Sequence, residues 1–91
     1  MPYRLVFANT AQKQLKAYKK SNPIAFKKIV KLMPELEQHP RTGTGHPEPL
    51  KNGGGITYSR RITASDRLIY DILDNIVQVT ILSVEGHYND K

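Results

Sequence analysis

The chain has 91 residues, no cysteine and a formal net charge of +6. This length predicts one domain over residues 1–91, and the lack of cysteine excludes disulfides and thiolate zinc sites. The sequence contains no signal-peptide pattern and no run of about 20 apolar residues that could span a bilayer, so we expect a cytoplasmic protein with no membrane partner.

The positive charge is concentrated at the N-terminal end. Residues 1–31 contain eight basic residues and no acidic one, whereas residues 32–91 contain six basic and eight acidic residues. Such a segment favours a polyanionic partner, either nucleic acid or an acidic protein segment. For any single lysine, an ordinary solvated helix face is an equally good interpretation.

The first elements predicted are a strand and a helix. Residues 3–8 are rich in β-branched and aromatic side chains, which is typical of a strand. Apolar residues then recur at helical spacing over about 11–20, with Asn9 or Thr10 as the candidate N-cap.

A second helix is predicted to begin at Pro23, with Asn22 as its N-cap. It has one apolar face and one lysine-rich face. Pro34 falls inside this pattern, and a proline in a helix interior costs about 3 kcal/mol. We therefore expect a kink or an early end of the helix near Met33.

Residues 39–55 are rich in proline and glycine and form the candidate substrate loop, too irregular to predict a helix or strand. Three strands are predicted beyond it, at residues 56–63, 67–73 and 76–85. Residues 64–66 join the first two strands, and Asp74-Asn75 is predicted as a two-residue hairpin turn. The predicted fold is α+β, a small, antiparallel-rich twisted sheet of about four strands with two N-terminal helices packed on one face.

Three charged residues of the second half are candidates for a site. Glu48 lies between two prolines that restrict the backbone around its carboxylate, although a lone glutamate there would more often be an exposed acid in a rigid turn.

Arg61 and Arg67 lie at similar distances from the turn at 64–66, so they are predicted to face each other across two strands. Because facing like charges are destabilising, the pair favours a bound anion; pairing with nearby acids such as Asp66 or Asp71 is the alternative. Arg60 has the opposite strand parity and should point to the other face.

The last candidates lie near the C-terminal end. The reference pKa of a histidine side chain is about 6.5, so His87 could hold or release a proton near neutrality, although a terminal histidine is usually a solvated surface group. Tyr88 could simply cover the core. The three histidines of the chain are scattered and lack the spacing of a helical metal motif, so we expect no metal site.

Four segments resemble the YoeB (Txe) branch of the RelE-type ribonuclease toxins of bacterial toxin–antitoxin modules. These are GTGHPEPLK at 43–51, SRRIT at 59–63, RLIY at 67–70 and the pair His87-Tyr88. The resemblance implies the RelE-like fold and a ribosome-dependent endoribonuclease that cleaves mRNA in the ribosomal A site. The implied reaction uses no cofactor or metal and yields a 2′,3′-cyclic phosphate (or 3′-phosphate) and a 5′-hydroxyl.

The resemblance also assigns roles to residues. Glu48 would be the general base, His87 the general acid and Arg67 the group that stabilises negative charge on phosphorus. Substrate binding would fall to Lys51, Arg61 and Tyr88.

The same resemblance implies partners. A cognate antitoxin would cover the basic helices and His87-Tyr88, a homodimer is allowed, and lysines would dock on ribosomal RNA. The lysines concerned are Lys13, Lys16, Lys19, Lys20, Lys27, Lys28 and Lys31. Two alternatives stay open: a non-catalytic inhibitor of the same fold, like the gyrase poisons, and a basic RNA-binding module.

Overall fold

The computed structural model of the chain describes residues 2–86. Its elements, in chain order, are β1 (Arg4–Phe7), α1 (Asn9–Ser21), α2 (Pro23–Gln38), β2 (Glu48–Pro49), β3 (Thr57–Arg61), β4 (Asp66–Leu73) and β5 (Gln78–Gly86). The strands form a single sheet in the order β1-β5-β4-β3-β2. The β1–β5 pair is parallel and the other three pairs are antiparallel. The predicted α+β fold is confirmed, with five strands in place of about four.

The helices cover one face of the sheet and leave the other face open. Along β4, fully or nearly buried residues alternate with more exposed ones, as expected when one face of a strand meets a core. The core joins apolar side chains of both helices to those of the central strands; its members are Ala11, Ala25, Ile29, Leu32, Leu36, Ile62, Leu68, Tyr70, Ile72, Val79, Ile81 and Val84. No helix within residues 2–86 is long and apolar enough to cross a membrane.

The N-cap of helix α1 lies one residue before Asn9, the first of the two predicted caps. Asn9 is already helical, and Ala8 occupies the N-cap position without any side-chain hydrogen bond. The sheet fixes this start, because the Ala8 N–H donates to the Ile81 carbonyl at 2.9 Å while the Ala8 carbonyl accepts from the Gln12 N–H at 3.0 Å. The predicted cap at Asn9 or Thr10 is therefore wrong.

Helix α2 begins as predicted but does not end near Met33. The Asn22 side chain accepts a hydrogen bond from the Ala25 N–H at 3.3 Å, which confirms it as the cap. Beyond Pro34 the helix continues to Gln38, and Leu36 is completely buried in the core. The hydrogen bond that Pro34 cannot donate would reach the carbonyl of Val30, a half-exposed residue, where water can take its place.

The connection between β4 and β5 is longer than predicted. Leu73 pairs with Gln78, so four residues form the loop, and a 3-10 turn over Asp74–Ile76 replaces the two-residue hairpin turn. Tertiary contacts explain the difference. The Asp74 carboxylate accepts hydrogen bonds from Arg41 at 2.7 Å and from the Tyr3 hydroxyl at 2.6 Å, and these two contacts, chiefly the one with Arg41, lower the pKa of Asp74.

Candidate active site

The loop at 39–55 contains a short edge strand that positions Glu48. Strand β2 consists of Glu48 and Pro49, and Glu48 pairs with Ser59 of β3. Proline is tolerated on an edge strand, because the side of the strand that faces solvent needs no backbone N–H to pair with a neighbouring strand. Leu50 continues the pairing by donating its N–H to the Thr57 carbonyl at 2.9 Å. The carboxylate of Glu48 is therefore attached to the sheet rather than to a free loop.

Arg61 and Arg67 face each other on the open face of the sheet. They are direct cross-strand partners of β3 and β4, as the sequence predicted. Glu48 lies on the same face, because its partner Ser59 and Arg61 are two residues apart on one strand. Both arginines are exposed, and neither forms an ion pair with any residue between 2 and 86. The nearby acids Asp66 and Asp71 accept hydrogen bonds from hydroxyl groups at 2.6 Å instead.

Three of the predicted site residues line one small cavity on this face. Its lining residues are Gly45, His46, Glu48, Ser59, Arg61 and Arg67. A carboxylate able to accept a proton thus stands beside two guanidinium groups able to bind an anion. No group of three or more metal-ligating side chains occurs in the part of the chain that the structure describes.

An open cleft continues from this cavity and shares His46, Glu48 and Arg61 with it. Its volume is about 620 Å³, enough for nucleotide-sized ligands. The remaining lining residues belong to the same loop and are Arg41, Thr42, Gly43 and Pro47. The loop at 39–55 therefore forms one wall of the cleft.

One other predicted residue, Lys51, is not brought to this cavity. Lys51 lies in the turn between β2 and β3 and does not line the cavity. His87 and Tyr88 lie outside the described residues. The last described residue, Gly86, pairs with Asp66, next to Arg67.

Three residues of the cavity, Gly45, His46 and Ser59, are not among the sequence-based candidates. His46 has a positive φ of 50°, which is uncommon for a residue other than glycine. Its position two residues before Glu48 was the available signal.

A buried arginine holds the loop that forms the cleft. The Arg60 side chain is completely buried on the helix side of the sheet, as its strand parity predicted. One of its terminal nitrogens donates to the carbonyls of His39, Pro40 and Thr42 at 2.9, 3.3 and 2.8 Å. The other lies 3.3 Å from a Glu35 carboxylate oxygen. The guanidinium thus satisfies backbone acceptors that the irregular loop leaves unpaired.

Glu35 and Tyr70 complete this support. The Glu35 carboxylate accepts from the Thr44 N–H at 2.8 Å, and that hydrogen bond, aided by the charge of Arg60, lowers the pKa of Glu35. The Tyr70 hydroxyl donates to the Pro40 carbonyl at 2.7 Å, and burial raises the pKa of Tyr70. Residues 40–44 are therefore tied to α2, β3 and β4 at once.

Gly45 is expected to tolerate no side chain. Its carbonyl accepts from the Arg61 N–H at 2.7 Å, its φ is +89°, and an added Cβ would overlap the Arg61 carbonyl oxygen. We expect Gly45→Ala to lower the free energy of unfolding by about 2–5 kcal/mol, from left-handed strain plus overlap, in urea denaturation. Gly54→Ala is the matched control, because Gly54 has a φ of +61° but open space around it, and it should cost only about 1–2 kcal/mol. Equal losses for the two variants would contradict the close packing of Gly45 on β3.

The lysines of both helices are solvent-exposed. Lys28 and Lys31 line a groove of about 330 Å³ that also includes Glu35, Thr44 and Arg61. Because Arg61 belongs to this groove as well as to the site cavity, the basic surface of α2 continues to the candidate site.

Comparisons with known proteins agree on one family. Residues 7–88 match the family model described as YoeB-like toxin of bacterial type II toxin-antitoxin system. Toxin YoeB of Escherichia coli (strain K12) is 39% identical over 62 residues, which cover 68% of this chain and 71% of that protein.

Two solved structures from Staphylococcus aureus have the same fold. The YoeB dimer superposes with a TM-score of 0.82 at 29% identity, and the YoeB–YefM complex with a TM-score of 0.78 at 31% identity. Each alignment covers 97% of this chain and 100% of the other.

Proposed function

The chain belongs to the YoeB-like toxins of bacterial type II toxin–antitoxin systems, and from this premise we propose that it is a ribosome-dependent endoribonuclease that cleaves mRNA in the ribosomal A site. The observation that carries the proposal is the single cavity that Glu48 shares with Arg61 and Arg67. A carboxylate and two guanidinium groups provide a base and an anion-binding surface, which RNA cleavage through the 2′-hydroxyl requires.

The proposed reaction is an internal transesterification. Glu48 removes the proton of the 2′-hydroxyl, and the resulting oxygen attacks the adjacent phosphorus to form the P–O2′ bond. Arg67 stabilises the negative charge that develops on the phosphoryl oxygens. The P–O5′ bond breaks as His87 donates a proton to the leaving 5′-oxygen. The products are a 2′,3′-cyclic phosphate and a 5′-hydroxyl, and no cofactor takes part.

Other residues are proposed to hold the substrate and the ribosome. Arg61 and Lys51 would bind the phosphates that flank the scissile one, and Tyr88 would stack on a base, a contact worth about 1–3 kcal/mol elsewhere. The exposed lysines of α1 and α2 would dock on ribosomal RNA. The groove that Lys28 and Lys31 share with Arg61 supports a basic surface running from the docking helices to the site.

We also propose a cognate antitoxin and a homodimer as protein partners. The titles of the two S. aureus structures name YefM as the partner of that YoeB in one case and a YoeB dimer in the other. An acidic antitoxin segment would complement the N-terminal region of the chain, because residues 1–31 carry eight basic and no acidic side chains. The rate of association between the antitoxin and this region should fall as added salt screens the charges on the two proteins.

Alanine variants distinguish a toxin that cleaves RNA from one that inhibits growth only by binding its target. Glu48→Ala and His87→Ala should each abolish growth inhibition, because both changes remove catalytic groups. Glu48→Ala should leave antitoxin binding, measured by calorimetry, unchanged, because Glu48 is not part of the surface that the antitoxin is proposed to cover. His39→Ala is the control, since His39 lines neither the cavity nor the cleft. Undiminished growth inhibition by both catalytic variants would instead make the protein a non-catalytic inhibitor.

A further inference from the structure

We propose that His46 is a substrate-binding residue whose imidazole contacts an RNA phosphate next to the scissile one. This inference rests on the proposed function, because it places RNA in the cavity that contains Glu48 and Arg61. It assigns a second imidazole to the site in addition to His87, with a binding rather than a proton-transfer role.

His46 lies where the small cavity meets the open cleft. His46 lines both the small cavity with Arg67 and the open cleft with Arg41. Besides His46, only Glu48 and Arg61 are common to the two linings within the described residues. An RNA strand that has its scissile phosphate beside Arg67 and continues into the cleft passes the boundary between the two cavities, where His46 lies with Glu48 and Arg61.

The backbone around His46 is held against β3 in an uncommon conformation. The chain is fixed to β3 by the hydrogen bond from the Arg61 N–H to the Gly45 carbonyl, at 2.7 Å. Directly after it, His46 adopts the left-handed region with φ at 50°, a conformation in which glycine or asparagine would be less strained. Histidine is one of the residue types found in this region more often than most, and non-glycine residues in it cluster at active sites and ligand sites.

The surroundings of the ring fit an anionic ligand. The His46 side chain is exposed and forms no hydrogen bond with another residue of the 2–86 region, so no contact within that region accounts for it. The charged groups that share its cavities are the cations Arg41, Arg61 and Arg67 and the single carboxylate of Glu48. An imidazole donates an N–H in its neutral form and in its protonated form, so the phosphate contact requires no particular charge state.

The test is the affinity of the intact protein for a 2′-deoxy trinucleotide, which has the phosphates of the substrate but no 2′-hydroxyl to react. We expect His46→Gly to raise the Kd about tenfold, because one hydrogen bond to a charged phosphate is lost. Glycine is chosen because it adopts positive φ without strain, so the variant should unfold at the same or a higher denaturant concentration. His39→Gln is the matched control and should leave the Kd unchanged.

The outcomes separate this inference from the proposed function. A His46→Gly protein that binds the trinucleotide like wild type, a wild-type protein that does not bind it, or an equal loss in His39→Gln would each overturn the assignment of His46. If the wild-type protein cuts mRNA on ribosomes while His46→Gly binds normally, the proposed function stands and the assignment fails. If binding depends on His46 but no message is ever cut, the assignment stands and the proposed nuclease activity fails.

Discussion

Replacing Glu48 by glutamine should reduce the rate of mRNA cleavage by about 10²–10⁴-fold, the usual contribution of a positioned general base. Glutamine keeps the size of the side chain and its place opposite Ser59 but cannot accept the 2′-hydroxyl proton at neutral pH. The rate should be measured in a single turnover on ribosomes programmed with a defined mRNA, so that product release does not limit it.

Glu85→Gln is the matched control for this change. Glu85 is an exposed carboxylate on the same open face, opposite Arg67, and its carboxylate accepts from the Ser83 hydroxyl at 3.0 Å. It does not line the cavity that contains Glu48. A loss of activity in Glu85→Gln as large as in Glu48→Gln would mean that the charge of the face, and not a base at Glu48, supports cleavage.

Arg60→Met should have the largest effect on stability, with a loss of about 3–5 kcal/mol in the free energy of unfolding. Arg60 is completely buried, and its removal deprives the carbonyl groups of residues 39, 40 and 42 of their shared donor. A loss of this size is a large part of the roughly 5–14 kcal/mol expected for a chain of this length. Urea denaturation followed by circular dichroism measures it.

The neighbouring arginine provides the control. Arg61 is exposed and forms no ion pair within residues 2–86, so Arg61→Met should change stability by only about 0.5 kcal/mol. Equal stability losses for Arg60→Met and Arg61→Met would contradict a structural role that belongs to the buried guanidinium alone.

Much of the fold is predictable from local patterns. The change to a strand-like pattern from residue 56 onward predicts the three C-terminal strands, and the Asn22-Pro23 pair predicts the start of α2. The errors occur where tertiary contacts override a local preference. Burial of Leu36 continues α2 past Pro34, and the contacts of Asp74 with Tyr3 and Arg41 lengthen the hairpin loop.

The candidate site is only partly predictable for the same reason. Strand parity alone puts Arg61 and Arg67 side by side and turns Arg60 to the core. The place of Glu48 depends on a two-residue strand that no periodicity can indicate. The two flanking prolines make Glu48 a candidate, and the family resemblance favours a role in the site over an exposed acid in a turn. His46 enters the site because its loop folds back onto β3 through Gly45, a contact between residues 16 positions apart that local reasoning does not detect.

The most direct test of the central claim is 5′-end mapping by primer extension of two mRNAs on the ribosome. The messages differ only in the A-site codon, which is all-ribose in one and 2′-deoxy at the nucleotide before the cut in the other. The proposed mechanism predicts a discrete cut in the ribose message, dependent on ribosomes, and none in the deoxy message, because the nucleophile is the 2′-hydroxyl. Cutting of both messages, or blocked synthesis with both messages intact, would contradict it.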